Sequence, residues 1–116
     1  MTEKEIKISY EEYRCPEEML PEDRELVCEA IEAMNGAYAP YSRYHVGAAV
    51  RMSNGQIVRG ANQENAAFPS GLCAERTAMF AASARYPDKE MLSIAIAGGV
   101  YGRLGKEPCT PCGACR

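Results

Sequence analysis

Two short cysteine stretches, Cys73-Ala74-Glu75-Arg76 and Pro111-Cys112-Gly113-Ala114-Cys115-Arg116, restrict this chain more than any other feature. Cys112 and Cys115 are three residues apart, a spacing that sets both sulfurs on one side of a first helical turn, close enough to share an ion. Cys73 would arrive from a separate element and complete a set of three thiolates. A catalytic zinc takes three protein ligands and keeps a fourth position open for water. Both stretches read as helix N-termini, where unpaired backbone N–H groups and the helix dipole favour thiolate over thiol. Glu75, two residues beyond Cys73, suits proton transfer rather than ligation. Arg76, about one turn from Cys73, is placed to offset the excess negative charge of three sulfurs.

Simpler readings of the same residues exist. A Cys-x-x-Cys pair alone is often a structural zinc knuckle or a redox dithiol. A structural zinc would show four protein ligands, and here Cys109 is the nearest further candidate and His45, the single histidine, a distant one. A redox dithiol has no use for Cys73 and Glu75. Taken together, the two stretches point to a catalytic metal site with about one zinc per chain.

With 116 residues the chain suffices for one domain with a buried core. A formal net charge of −3 gives no basic footprint for a phosphate backbone, so a small-molecule substrate is expected and a polynucleotide is not. The first ten residues lack the apolar run of a signal peptide, and no stretch is long enough to span a membrane. Six cysteines without an export signal are better explained by metal binding than by disulfides, so a cytoplasmic protein is expected.

Residues 1–19 form an N-terminal arm to which no role is assigned; Ile6, Ile8 and Tyr10 alternate with polar residues, which permits a short strand. Pro21, followed by Glu22 and Asp23, opens a helix whose apolar face is Leu26, Val27, Ala30, Ile31, Ala33 and Met34, and Gly36 is placed to end it. Cys28 reads as a small buried residue. The connection 38–44 is rich in tyrosine. A strand is predicted over about 45–52, then a tight turn at Asn54-Gly55, then a second strand through Ile57 and Val58 to about Ala61. After the polar segment 62–65, Ser70 is a plausible cap for a helix over about 72–85, apolar nearly all round and therefore expected to be buried. Leu92, Ile94 and Ile96 form a third strand. A helix between strands predicts a β-α-β crossover and a parallel pair. Residues 98–110, with four glycines, read as a loop.

The two cysteine stretches, together with Tyr38-Ala39-Pro40-Tyr41-Ser42 and Asn62-Gln63-Glu64-Asn65-Ala66, closely resemble the cytidine deaminases. The resemblance runs over residues 21–116 and implies an α/β fold: a three-layer α-β-α arrangement with helices on both faces of the sheet. The domain, residues 20–116, is then expected to lack the usual C-terminal part. The same resemblance implies Cys73, Cys112 and Cys115 as zinc ligands and Glu75 as the proton shuttle. Asn62 and Glu64 are implied at the ribose 3′-hydroxyl, Tyr44 against the base, Ala74 in backbone contact with it, and Phe68 at a substrate-binding position where many members carry a tyrosine. The activity implied is hydrolytic deamination of cytidine or deoxycytidine to the uracil nucleoside, as in pyrimidine salvage, by a homotetramer. A cysteine as first ligand fits less well with deaminases of deoxycytidylate, guanine or polynucleotides. Blasticidin-type deaminases share the cysteine pattern and are the nearest competitor, and the Asn62/Glu64 pair favours a nucleoside. A non-catalytic zinc-binding fragment is the competing class, and it would have no use for Glu75.

Overall fold

The computed structural model of the protein describes residues 3–4, 9–100 and 104–105. Its centre is strand β1, Tyr44–Met52, which runs between β2, Ile57–Ala61, and β3, Met91–Val100. Helix α1, Pro21–Ala33, precedes the sheet in sequence, and α2, Ala74–Arg85, links β2 to β3. Successive strand residues point to opposite faces, and the two faces of β1 bury different cores. Ala48, Val50 and Met52 pack with Ala74, Ala78 and Ala82 of α2. Ala49 packs with Leu26, Ala30 and Met34 of α1 and with Ala97 of β3. The result is three layers, with one helix on each face.

Two glycines set the spacing of those layers. A Cβ on Gly47 of β1 would stand 2.1 Å from the Ala30 carbonyl oxygen and 2.5 Å from the Met34 nitrogen. A Cβ on Gly60 of β2 would stand 2.4 Å from the Ala78 nitrogen and 2.9 Å from the Ala74 oxygen. Each helix backbone therefore rests directly on strand backbone, and alanines, not leucines, fill the narrow space between.

Helix α1 starts at Pro21 as expected and buries Leu26, Ala30 and Ala33; a 3₁₀ turn, Met34–Gly36, follows it. Cys28 is exposed, contrary to expectation, because it falls on the outer side of that helix. In the hairpin, Gly55 adopts φ 86° and donates to the Met52 oxygen at 2.9 Å, while the Met52 N–H bonds Gln56 at 2.9 Å. Asn54 keeps negative φ, so the connection is the three-residue Ser53-Asn54-Gly55 type rather than a two-residue Asn-Gly turn.

The expected parallel pairing of the second and third strands is not found. β2 and β3 both pair antiparallel with β1, so they run in the same direction with β1 between them. The crossover through α2 thus skips one strand. A physical reason lies in β2 itself: Arg59 reaches Glu29 and, at 3.0 Å, Glu32 of α1, which makes β2 a charged edge. β1, apolar on both faces, takes the centre.

Gly98 and Gly99 belong to β3, opposite Val46 and His45, and are buried rather than part of a loop. α2 begins at Ala74 with Cys73 as its N-cap, and Ser70 ends a separate 3₁₀ turn, Phe68–Ser70. Only one face of α2 is buried; Phe80 is 64% exposed. In the N-terminal arm, Pro16–Glu18 forms a 3₁₀ turn, while the possible strand residues Ile6 and Ile8 lie outside the described residues.

The glycine contacts give a direct test. Gly47→Ala and Gly60→Ala should each destabilise the fold by about 1–3 kcal/mol or more, the usual cost of overpacking. Gly36→Ala, whose Cβ would meet only Ala61 Cβ at 3.9 Å, should stay within about 0.5 kcal/mol. Urea unfolding of the three variants checks this, and a Gly60→Ala protein as stable as the parent would contradict the layer spacing.

Candidate active site

A cleft of about 880 Å³ opens at the N-terminal end of α2. Among the described residues, three segments line it: Tyr41 and Ser42 from the loop after α1, residues 62–66 after β2, and residues 69 and 71–75 leading into α2, with Val46 of β1 also in the wall.

Cys73 holds an extended backbone, φ −77° and ψ 161°, as the N-cap of α2. Its carbonyl accepts both the N–H and the hydroxyl of Thr77, each at 3.0 Å, which fixes the first turn. A cap position sets the side chain beside the unpaired N–H groups of that turn, where negative charge is favoured. Glu75 is 4% exposed and is the sole buried polar or charged residue among those described. Burying a carboxylate costs several kcal/mol unless something offsets it, and Glu75 gains from the positive end of the helix. Ala74 between them is fully buried against Gly60, so the seating of α2 on β2 fixes both neighbours. Arg76 has its guanidinium 5.9 Å from the Phe80 ring centroid and does not line the cleft.

Opposite α2 runs the strip 62–64. Gln63 exchanges two backbone hydrogen bonds with Leu72, both 2.8 Å. On its other side, the Tyr38 N–H donates to the Asn62 oxygen at 2.9 Å and the Glu64 N–H donates to the Tyr38 oxygen at 2.8 Å. The strip is thus tied to both remaining walls. The Asn62 amide is also occupied: Nδ2 donates to the Tyr44 oxygen and Oδ1 accepts the Val46 N–H, both at 2.9 Å. One amide hydrogen and one lone pair are left for a ligand. Gln63 points the other way and donates to the Gly36 oxygen at 3.1 Å.

The Glu64 carboxylate accepts the Tyr41 N–H at 3.0 Å, the Ser42 N–H at 3.1 Å and the Ser42 hydroxyl. The Ser42 hydroxyl, then the backbone donors and the charge of His45, hold its pKa below the ordinary carboxylate value. Tyr44, expected against a base, opens β1 and is not among the lining side chains; Tyr41 is the aromatic residue in the wall. Phe68 lies in the 3₁₀ turn that leads to α2. The structure therefore brings Cys73, Ala74, Glu75, Asn62 and Glu64 around one cleft. Cys112 and Cys115 lie outside the described residues. Ser42 and Gln63 carry contacts that the sequence did not flag, since their partners are distant in the chain and no local pattern marks them.

Among the described residues no three His, Cys, Asp or Glu side chains gather as a metal-holding group. The chemistry of the donor set nevertheless fits zinc: Cys73 sits at a helix start that favours thiolate, beside a buried carboxylate. Among the described residues no helix is long and apolar enough to cross a membrane.

Fold and site together define the class, a three-layer α/β domain with a thiol and a carboxylate that line one cleft where a helix begins at the sheet. Residues 1–97 match the family described as the cytidine and deoxycytidylate deaminase zinc-binding region, and the chain belongs to that family. A cytidine deaminase of Halalkalibacterium halodurans is 47% identical over 91 residues, which cover 78% of this chain and 64% of that protein. The chain thus spans a little under two thirds of the length of that relative. Among solved structures, cytidine deaminase from Burkholderia pseudomallei superposes with a TM-score of 0.70 at 39% identity, over 84% of this chain and 72% of the other. Cytidine deaminase from Mycobacterium tuberculosis gives 0.70 at 34% identity, over 84% and 73%.

The lowered pKa of Glu64 sets the sign of a pH effect. A carboxylate whose folded pKa is depressed adds stability above its unfolded pKa and loses it as pH falls through the folded value. The stability difference between the parent and Glu64→Gln should therefore be present at neutral pH and shrink as pH falls through the carboxylate range. Chemical denaturation at a series of pH values measures it, and a difference independent of pH would contradict the hydrogen bonding described.

Proposed function

We propose that this protein is a zinc-dependent nucleoside deaminase that converts cytidine or deoxycytidine, with water, into the uracil nucleoside and ammonia. The observation that carries the reading is the buried Glu75 carboxylate two residues from Cys73, at a helix start that lines a cleft large enough to admit a nucleoside. Family membership and the likeness to proteins named cytidine deaminase support the same reading.

Cys73, with Cys112 and Cys115, would hold the zinc, about one per chain. When bound, the metal supplies Lewis acidity for the addition of water at C4 of the pyrimidine. Glu75 then does the proton work. Its carboxylate takes a proton from the attacking water and gives it to the ring nitrogen N3 as the carbon–oxygen bond forms. It next takes the remaining proton from the new C4 hydroxyl and gives it to the amine as the carbon–nitrogen bond breaks, leaving the C4 carbonyl and ammonia. Burial keeps bulk water from competing for those protons. Asn62 and Glu64 would take the sugar 3′-hydroxyl, one with its remaining amide hydrogen and the other as acceptor. Phe68 would contact the substrate and the Ala74 backbone would approach the base closely, while Tyr44, outside the described wall of the cleft, would reach the base only by a change of rotamer. Arg76 would offset thiolate charge. We read the active form as a cytoplasmic homotetramer acting in pyrimidine salvage.

Two outcomes test the reading. Glu75→Gln should retain fold and zinc while lowering cytidine turnover about 10²–10⁴-fold, the usual worth of a positioned acid–base group. Ultraviolet assay and metal analysis on one preparation decide it; near-normal turnover in a zinc-replete variant would refute the mechanism. Cys73→Ala should lose the metal. Full zinc retention in that variant, or a fourth protein sulfur on the ion such as that of Cys109, would indicate a closed structural site instead.

A further inference from the structure

The hydrogen bonds around Glu64 are more numerous than sugar recognition alone requires. Oε1 accepts two backbone N–H groups, from Tyr41 at 3.0 Å and from Ser42 at 3.1 Å. Oε2 accepts the Ser42 hydroxyl. That hydroxyl has a fixed direction, since its oxygen accepts the Tyr44 N–H at 3.1 Å and its hydrogen is left to donate to Glu64. The next residue, Arg43, has φ 63°, in the left-handed region that a side chain of its kind seldom adopts, and its N–H donates to the Ala39 oxygen at 3.1 Å. This turn lets two successive N–H groups converge on one carboxylate oxygen, in the manner of an anion-binding nest. A carboxylate offers about four acceptor positions, and here three are used.

We infer that Ser42 is a positioning residue, which with the turn at Arg43 holds the Glu64 carboxylate in one orientation and leaves one acceptor position on Oε2 for a sugar hydroxyl. The inference rests on the nucleoside reading above and adds to it a device in the wall of the cleft. A carboxylate free to rotate would have to be ordered by each incoming ligand; a carboxylate already clamped is ordered beforehand, and the gain appears in binding. Ser42 acts through Glu64, so its worth should vanish when Glu64 cannot respond.

The test is a double-mutant cycle on the zinc-loaded full chain carrying Glu75→Gln to suppress turnover, read by calorimetric titration with cytidine and with 3′-deoxycytidine. Ser42→Ala should weaken cytidine binding about tenfold, the scale of one lost charge-assisted hydrogen bond. Ser42→Thr, which keeps the hydroxyl, should restore it. In a Glu64→Gln background Ser42→Ala should have no further effect, and 3′-deoxycytidine should bind the parent and Ser42→Ala alike. A general structural role would weaken both nucleosides and would add to Glu64→Gln; either result overturns the inference.

A second readout needs no ligand, namely the carboxyl-carbon NMR titration of Glu64. Ser42→Ala should raise its midpoint and Ser42→Thr should return it. The other ionisable groups around this site are His45 on β1, Arg43 in the loop, and Cys73 and Glu75 across the cleft, so every comparison is also made in a His45→Gln background. An unmoved midpoint in Ser42→Ala refutes the clamp. A moved midpoint in a protein that binds no cytidine upholds the clamp, refutes its tie to the sugar, and shows that the failure lies in the nucleoside reading.

Discussion

The contact between Gly60 and the first turns of α2 is the constraint from which the site follows. No side chain separates the two backbones: a Cβ there would stand 2.4 Å from the Ala78 nitrogen. The helix start can take up few positions against the strand, and so Cys73 and Glu75, one on each side of the buried Ala74, take up few as well. The same absence of a side chain at Gly47 seats α1 on the opposite face. A small domain whose core is built largely from alanine gains less per residue from burial than one built from leucine. It compensates with close backbone approach, and that closeness is what gives the N-terminal end of α2 a defined place.

Much of this could be read from residue order because the determinants are local. Pro21 and Gly36 bracket α1 with its closing 3₁₀ turn, and Gly55 takes the left-handed position of the hairpin. The placement of Cys73 and Glu75 at a helix start was legible, and the structure sets both in the wall of one cleft. Strand order was not legible. Alternation assigns residues to faces but says nothing of neighbours, and the charged edge at Arg59 depends on Glu29 and Glu32 in another element. Gly98 and Gly99 mislead by propensity: glycine is poor in strands, yet here both are buried in the ladder opposite β1. Ser70 has better capping chemistry than Cys73, but the bonds from Leu72 to Gln63 carry the chain one step further before the helix can start. The contact of Ser42 with Glu64 spans 22 positions and leaves no local signature.

Electrostatically the cleft has two unlike carboxylates. Glu75 is almost wholly buried and stands at the positive end of a helix. Glu64 is less buried and is surrounded by donors that favour its charge. A group that only accepts a hydrogen bond benefits from donors that favour its charge. The two environments therefore divide the labour proposed for them, and they do so with residues of identical functional chemistry.

The strip 62–64 has hydrogen bonds to Tyr38 on one side and to Leu72 on the other. It behaves as a tie rod between the loop that carries Ser42 and the approach to Cys73. Movement of one wall pulls on the other through backbone, not through adaptable side chains. A change of ligand in such a cleft is therefore more readily reached by exchanging side chains on a fixed frame than by lengthening or shortening its loops, because any altered loop would shift the wall that carries Cys73 along with the one that carries Ser42.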